Sequence, residues 1–419
     1  MLDYGRTARR RVAHASKGSE EPTVSLAPAA GRGLCDACLG RLIGGGRGSI
    51  SAAERGRAAR EVAGFALTSP ESCTSCDGLS AEYDALAAAV VDALRDHEYA
   101  SFLIGCTIDE ALARRDAELA AQLGFGGALP LKQDVTREVG MRVERATGKP
   151  VDFKDPDIAA VVDARFNTVR LQLKSAYFSG RYRKLARGVP QTRWPCRFCQ
   201  GRGCKRCAGT GKMYPDSVEE YIARPLIEAL GGEDHALHGA GREDIDALML
   251  GEGRPFVVEI RRPRKRSVDL PAMEAMIRAR SEGRVEVSCL APCAKEAVAA
   301  LKSSDWRKTY RVLVALEKDI KDDQIYHACA KLTGTVVSQQ TPTRVVHRRA
   351  DIPRKRTVER VEVKGRHGLS VELLVTGESG LYIKELIHGD EGRTEPNLSK
   401  LLGVHCEVRE LDVVQIHDG

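Results

Sequence analysis

The chain has 419 residues, of which 42% are hydrophobic and 29% charged. That is the make-up of a globular protein of two or three domains, and it excludes wholesale disorder and a collagen-like repeat. The formal net charge of +7 is a mild tilt, which permits a polyanionic partner without requiring one.

No run of about 18 consecutive apolar residues is present, so no transmembrane helix and no membrane partner are expected. The opening MLDYGRTARRRVAHASKGSEE lacks the apolar core of a secretory signal, so the expected location is cytoplasmic. Residues 1–33 are rich in Ala, Gly, Arg and Ser and have no apolar period, so they read as a disordered tail. Arg9, Arg10 and Arg11 in it read either as a solvated charge run or as phosphate contacts.

Order is expected from LCDACLGRLIGG onward, with partial helix in AAERGRAAREVAGFAL and a second cysteine pair in SCTSCDGL. In AEYDALAAAVVDALRDHEY, Leu86, Val90, Val91 and Leu94 fall at helical spacing. ASFLIGCTI then reads as a strand and ARRDAELAAQLG as a helix. Two β-rich runs, 158–162 and 168–173, flank a turn-like 163–167 and predict a strand pair. Together these give an α/β region over residues 34–193. The Gly-rich, cysteine-rich segment 194–214 has neither period and reads as a metal-stapled linker. The third region, 215–419, opens with the helix SVEEYIARPLIEAL. In it PFVVEI, RVEVSCL, TYRVLVAL, TGTVVSQ, TVERVEVKG, SVELLVT and EVRELDVVQI read as strands. PAMEAMIRARSEG, AKEAVAALKSS and LYIKELIHG read as helices, so the expected class is α+β with a mixed sheet.

Eight of the 13 cysteines form four C-x2-C pairs, which in a chain with no export signal read as metal ligands before disulfides. Cys35, Cys38, Cys73 and Cys76 follow C-x2-C-x34-C-x2-C. Four thiolates close a tetrahedral zinc site with no position left for water, which makes it structural; two unrelated turns are the alternative. Cys196, Cys199, Cys204 and Cys207 follow C-x2-C-x4-C-x2-C, with Gly201, Gly203, Gly209 and Gly211 allowing tight turns. Zinc again competes with a redox dithiol. The expectation is one or two structural zinc ions. The remaining cysteines read as small buried residues or unpaired thiols.

From Leu171 to Lys212 there are eleven Lys or Arg and no acid, with Tyr182 and Trp194 interleaved. Cations neutralise phosphates while aromatics stack on unpaired bases, so Arg181, Arg183, Lys184 and Arg187 are candidate RNA contacts. A solvated face is the bland alternative. Further basic runs at 261–266 and 347–356 add Arg348, Arg349 and Arg354. GREDIDALMLGEGRPF places Glu243, Asp244 and Asp246 beside Arg242. A carboxylate next to a fixed guanidinium stays ionised and suits a nucleophile or base; an acidic surface turn is the equal alternative.

GREDIDALMLGEGRPF also resembles the catalytic motif of archaeal and eukaryotic tRNA pseudouridine synthases that carry an N-terminal THUMP-containing region. The resemblance spans CDACLGR with SCTSCDGL, GRYRKLARGVPQTRW, KTYRVLV, SQQTPTRVVHRRADIPRKR and SGLYIKELIHGDEGRTEPN, in that order. It implies an N-terminal zinc-containing THUMP-like α/β domain followed by a mixed-sheet pseudouridine synthase catalytic domain. It implies tRNA as partner, isomerisation of uridine at T-arm position 54, 55 or both, no organic cofactor and no obligate protein partner. Residue by residue, it puts the catalytic aspartate on Asp244, a tyrosine stacked on the flipped uracil on Tyr310 and a pocket leucine on Leu411. The basic residue paired with the catalytic carboxylate falls on Lys384. Ala247 departs from the pattern, standing where relatives often carry a basic residue. The rival readings are another THUMP-type tRNA modifier, a non-catalytic zinc-containing tRNA-binding protein or RNA chaperone, and a chaperone zinc module, which the C-x-x-C-x-G-x-G pattern resembles.

Overall fold

The computed structural model describes residues 25–44, 50–348 and 350–418. They fall into two compact units that divide between Lys174 and Ser175. Most of the expected tail, 1–24, lies outside the described residues, while Ala27–Ala29 form a 3-10 turn with Ala29 buried. No helix of the described residues is long and apolar enough to cross a membrane.

The first unit holds α1 (Asp36–Leu42), α2 (Ala52–Ala63), α3 (Tyr83–Leu94), β1 (Phe102–Thr107), α4 (Glu110–Leu123), α5 (Leu131–Thr147), β2 (Ile158–Asp163) and β3 (Thr168–Leu173). Its sheet order is β1-β2-β3, with β1 parallel to β2 and β2 antiparallel to β3. Phe102, Ile104 and Cys106 of β1 and Ile158, Ala160 and Val162 of β2 alternate into the core, as a pleated strand with one buried face must. The α3 helix buries Leu86, Ala87, Val90 and Leu94, while Val91 is half-buried. The sequence reading passed over α5, although Leu131, Val135, Val139 and Val143 recur every four residues and are all buried. The α1 and α2 helices cross at glycines. A Cβ on Gly40 would lie 1.8 Å from the Ala52 carbonyl oxygen, and one on Gly56 would lie 1.7 Å from that of Asp36. No side chain fits either position.

The second unit contains a ten-stranded sheet among the described residues. Its strands are β4 (Ala176–Lys184), β5 (Asp234–Gly239), β6 (Leu248–Arg261), β7 (Val285–Cys293), β8 (Arg307–Leu316), β9 (Thr335–Gln339), β10 (Arg354–His367), β11 (Ser370–Gly377), β12 (Thr394–Glu395) and β13 (Cys406–His417). The order is β12-β9-β10-β11-β8-β13-β6-β4-β7, with β5 paired to β6. Only β6 and β13 run parallel, through Leu248 with Asp412 and Met249 with Val413. The expected α+β class and most of the expected elements are present, among them the helix at Val218–Leu230, capped by Ser217 accepting from the Glu220 N–H.

The unit begins earlier than residue 215, and the reason is β4. It pairs with β6 on one side and β7 on the other. Ala176, Phe178, Gly180, Tyr182 and Lys184 point inward, and the alternating outward residues include Arg181 and Arg183. Those cations made a central strand read as a basic surface segment. The cysteine-rich segment 194–214 follows β4 and precedes the Val218–Leu230 helix, so it is part of the second unit and not a linker between the two.

Candidate active site

Asp244 lies in the loop between β5 and β6, which carries GAGREDIDA. Buried groups hold this loop from behind. Glu243 is buried and accepts from the Tyr182 hydroxyl at 2.9 Å and from Arg254 Nε at 2.9 Å. Arg254 Nη1 donates to the Ala240 carbonyl at 2.6 Å, and Gln191 Nε2 donates to the Tyr182 hydroxyl at 2.8 Å and the Gly241 carbonyl at 3.0 Å. Burial, with the Glu243 charge added, pushes the Tyr182 phenol well above its usual range, so it stays a donor. Lys184 is fully buried and donates to the carbonyls of Val189 at 2.8 Å, Asp244 at 3.0 Å and Ile245 at 3.1 Å.

Two cations from distant segments reach the Asp244 carboxylate. Arg344 Nη1 donates to Oδ1 at 3.0 Å, and Lys384 Nζ lies 3.4 Å from Oδ2. Arg344 is itself oriented by buried Glu385, which accepts from its Nε at 2.8 Å. Lys384 also donates to Asp246 at 2.9 Å. Burial works against the Asp246 charge, yet the Lys384 ammonium holds that carboxyl below its ordinary range. The sequence reading put Arg242 beside the aspartate. Its guanidinium lies 5.3 Å over the Trp194 ring, and the guanidinium that donates to Asp244 is that of Arg344.

Tyr310 is half-buried on β8, opposite Val413 of β13. Its phenol is pushed up to about 12, first by burial, with Arg254 lowering it and the Asp244 charge raising it. It therefore stays neutral near pH 7. Leu411 faces Val312 one pleat along, so Leu411 and Tyr310 share a face of the sheet as diagonal neighbours. The structure thus gathers Asp244, Lys384, Tyr310 and Leu411 in one unit, with the first two in contact. Ala247 is buried, and its N–H donates to the Asp244 carbonyl at 3.1 Å.

The expected RNA contacts divide. Lys184 is corrected: fully buried and spent on three carbonyls, it cannot meet a phosphate. Tyr182 is likewise buried and cannot stack on a base. Arg181 pairs with Asp418 and Arg183 with Glu286. Arg187 donates to the Asp246 carbonyl at 2.6 Å and pairs with Asp412 at 2.7 Å, where buried Asp412 also accepts from Arg311 at 2.7 Å and from the Leu248 N–H at 3.1 Å. Arg187 is thus a strut of the loop. Arg354 donates to Thr341 Oγ1 at 2.7 Å. Arg349 and the side chain of Arg348 lie outside the described residues. Arg344, Glu385 and Asp412 were missed in the sequence. Arg344 stands inside SQQTPTRVVHRRADIPRKR, but nothing in its spacing points to a partner 100 residues away.

Both cysteine sets converge, each with its four sulfurs within 4.8 Å of one another. Sulfurs at about 2.3 Å from a tetrahedral zinc lie about 3.8 Å apart. Cys35 and Cys76 are at 3.8 Å, Cys199 and Cys207 at 3.8 Å, and Cys204 and Cys207 at 3.7 Å. Main-chain N–H groups point at the sulfurs: Cys35 at Cys73 Sγ (3.3 Å), Gly203 at Cys199 Sγ (3.2 Å) and Gly211 at Cys207 Sγ (3.2 Å). Beside the first set, buried Arg41 approaches Cys38 Sγ at 3.7 Å and pairs with Asp116, placing a cation where four thiolates around a divalent ion would leave excess negative charge. Both sets could hold such an ion.

Residues 177–417 match the family model described as Pus10, C-terminal, and residues 86–163 match the one described as Pus10 THUMP domain, archaeal. The tRNA pseudouridine synthase Pus10 of Halorubrum lacusprofundi is 42% identical over 402 residues, covering 91% of this chain and 93% of that protein. The protein of the same name from Methanothrix thermoacetophila is 44% identical over 348 residues, covering 83% of this chain and 77% of its own. That of Methanothermobacter marburgensis is 43% identical over 391 residues, covering 91% and 95%.

Proposed function

Because the chain belongs to the Pus10 family of tRNA pseudouridine synthases, we propose that it isomerises uridine to pseudouridine in the T arm of tRNA, at position 54, 55 or both, with Asp244 as the attacking carboxylate. The carboxylate attacks the target nucleotide at the ribose C1′ or at the base. The N-glycosidic bond breaks, the uracil turns within the pocket, a bond forms between C5 and C1′, and the bond to the carboxylate breaks so that Asp244 leaves as the free carboxylate. C5 gives up its proton and N1 gains one, so atoms and electrons balance without an organic cofactor.

The residues around Asp244 suit this work. Arg344 and Lys384 fix one carboxylate oxygen each, so the carboxylate meets the nucleotide in one orientation. Tyr310 is a neutral ring able to stack on a base taken out of its helix, which costs a few kcal/mol to extrude. Leu411 lines the same face. The N-terminal unit grips the tRNA, near its acceptor end, and fixes register by contacts remote from the chemistry. Arg183, Arg348, Arg349 and Arg354 add phosphate contacts. Zinc fills both cysteine sets as a structural ion, and the protein works in the cytoplasm.

The observation that carries this reading is the convergence of Arg344 and Lys384 on Asp244, on a loop fastened by buried groups. The test is incubation with an unmodified tRNA transcript, carbodiimide modification and primer extension. New stops in the T arm that vanish with Asp244→Ala are expected, with tRNA affinity kept within a few fold. Binding without stops from the unaltered chain would favour a non-catalytic tRNA-binding protein.

A further inference from the structure

We infer that the second cysteine knuckle is an RNA-gripping finger: an unpaired nucleotide of the tRNA stacks on Phe198 while neighbouring phosphates meet Arg197, Arg202 and Lys205. The inference rests on the reading of the substrate as tRNA and adds a contact site remote from the carboxylate.

Phe198 sits between two of the clustered cysteines and is 62% exposed. It is more than a stray surface aromatic. The Arg206 guanidinium covers one side of its ring at 3.9 Å, which orders the ring and leaves its other face to solvent. A base on that open face completes a stack of cation, ring and base, the arrangement by which proteins hold unpaired nucleotides. Arg197, Arg202 and Lys205 are exposed around it, and residues 194–215 contain no acid to compete for them. The mount is stiff. Gln200, Gly201, Gly203, Ala208, Gly209 and Gly211 all take left-handed backbone angles, and main-chain N–H groups are tied to the sulfurs. A rigid mount loses little freedom on binding. The base of the finger leads toward the catalytic loop, because Trp194 stacks edge-on with Tyr214 at 5.5 Å and lies under Arg242, two residues before Asp244.

The test is the affinity of the full, metal-containing chain for a labelled unmodified tRNA transcript across a range of salt, with metal content and pseudouridine formation read on the same samples. Phe198→Ala is expected to weaken binding about ten-fold with an unchanged salt slope. Replacing Arg197, Arg202 and Lys205 together by Ala should weaken binding and flatten the salt slope by about two. Phe198→Trp should bind as tightly as the unaltered chain. If Phe198→Ala sheds metal, Phe198→Leu, which keeps the bulk and loses the ring, takes its place. Affinity within two-fold of the unaltered chain for the ringless variant, metal retained, would overturn the finger, and its site would then fit a protein partner or none. A chain that shows the Phe198 dependence yet forms no pseudouridine would overturn the catalytic reading and leave the finger standing.

Discussion

The buried ammonium of Lys184 donates to the main-chain carbonyl of Asp244 at 3.0 Å, so the residue that carries the carboxylate is held by its backbone as well as by its side chain. The same nitrogen serves Ile245 and Val189. Lys184→Met removes all three bonds, but the Asp244 and Ile245 carbonyls keep the Ala247 and Gly188 N–H groups, so the cost falls mainly on the Val189 carbonyl, at about 1–3 kcal/mol. We expect a loss of about that size in stability, and pseudouridine formation falling far more than tRNA affinity. Lys184→Arg should not rescue, since a planar fork cannot meet three convergent carbonyls. Turnover at the unaltered rate in Lys184→Met would refute the role.

A pH dependence follows from two buried lysines. Burial pushes Lys184 and Lys308 down to about 8 from an ordinary value of 10.5. Above pH 8 the native chain releases these protons while the unfolded chain keeps them until its own lysines titrate. The unfolded form binds more protons in that window, so stability rises with pH from about 8 to about 10, by at most about 3 kcal/mol per lysine. Below pH 8 both forms are protonated and the contribution is flat. Melting temperatures between pH 7 and 10 should show the rise, and Lys184→Met or Lys308→Met should each reduce it. Turnover should run the other way, because the deprotonated Lys184 has two donors for three carbonyls.

Arg344 joins Asp244 to Glu385, which is buried. Arg344→Ala leaves Glu385 without its guanidinium. The cost is about 2–3 kcal/mol once the partial exposure of Arg344 is allowed for. Adding Glu385→Gln should return most of the stability and none of the turnover. Recovery of turnover in the double variant would show that Arg344 acts only by neutralising Glu385.

The two sulfur clusters predict two zinc ions per chain by native mass spectrometry. Cys38→Ser and Cys199→Ser should each leave one, and each should lower the thermal stability of its own unit. A chain that folds with no metal would remove the structural role of both.

How much of this was legible in the sequence depended on how far apart the partners lie. The strand pair at Ile158–Asp163 and Thr168–Leu173 and the helix at Tyr83–Leu94 depend on local period, and both were readable. Asp244, Lys384 and Tyr310 stood out because long motifs surround them. Lys184 was misread because a cation inside a basic run looks solvated, and only the strand's alternation shows that it points inward beside Tyr182. Arg344 and Asp412 were invisible because each meets a decisive partner far away in the chain, Asp244 100 residues from Arg344 and Arg311 101 residues from Asp412. No pattern of spacing encodes such an encounter.

The parallel pairing of β6 with β13 has a consequence in time. Asp412 takes the Leu248 N–H across 164 residues of sequence and anchors Arg187, which holds the Asp246 carbonyl. During synthesis at about 5–20 residues per second, that stretch takes roughly ten to thirty seconds to emerge. Throughout that interval a nascent chain already has its aspartate and lacks the strand that fastens it. A half-made chain thus presents the loop that carries Asp244 well before the strand that ties it down exists.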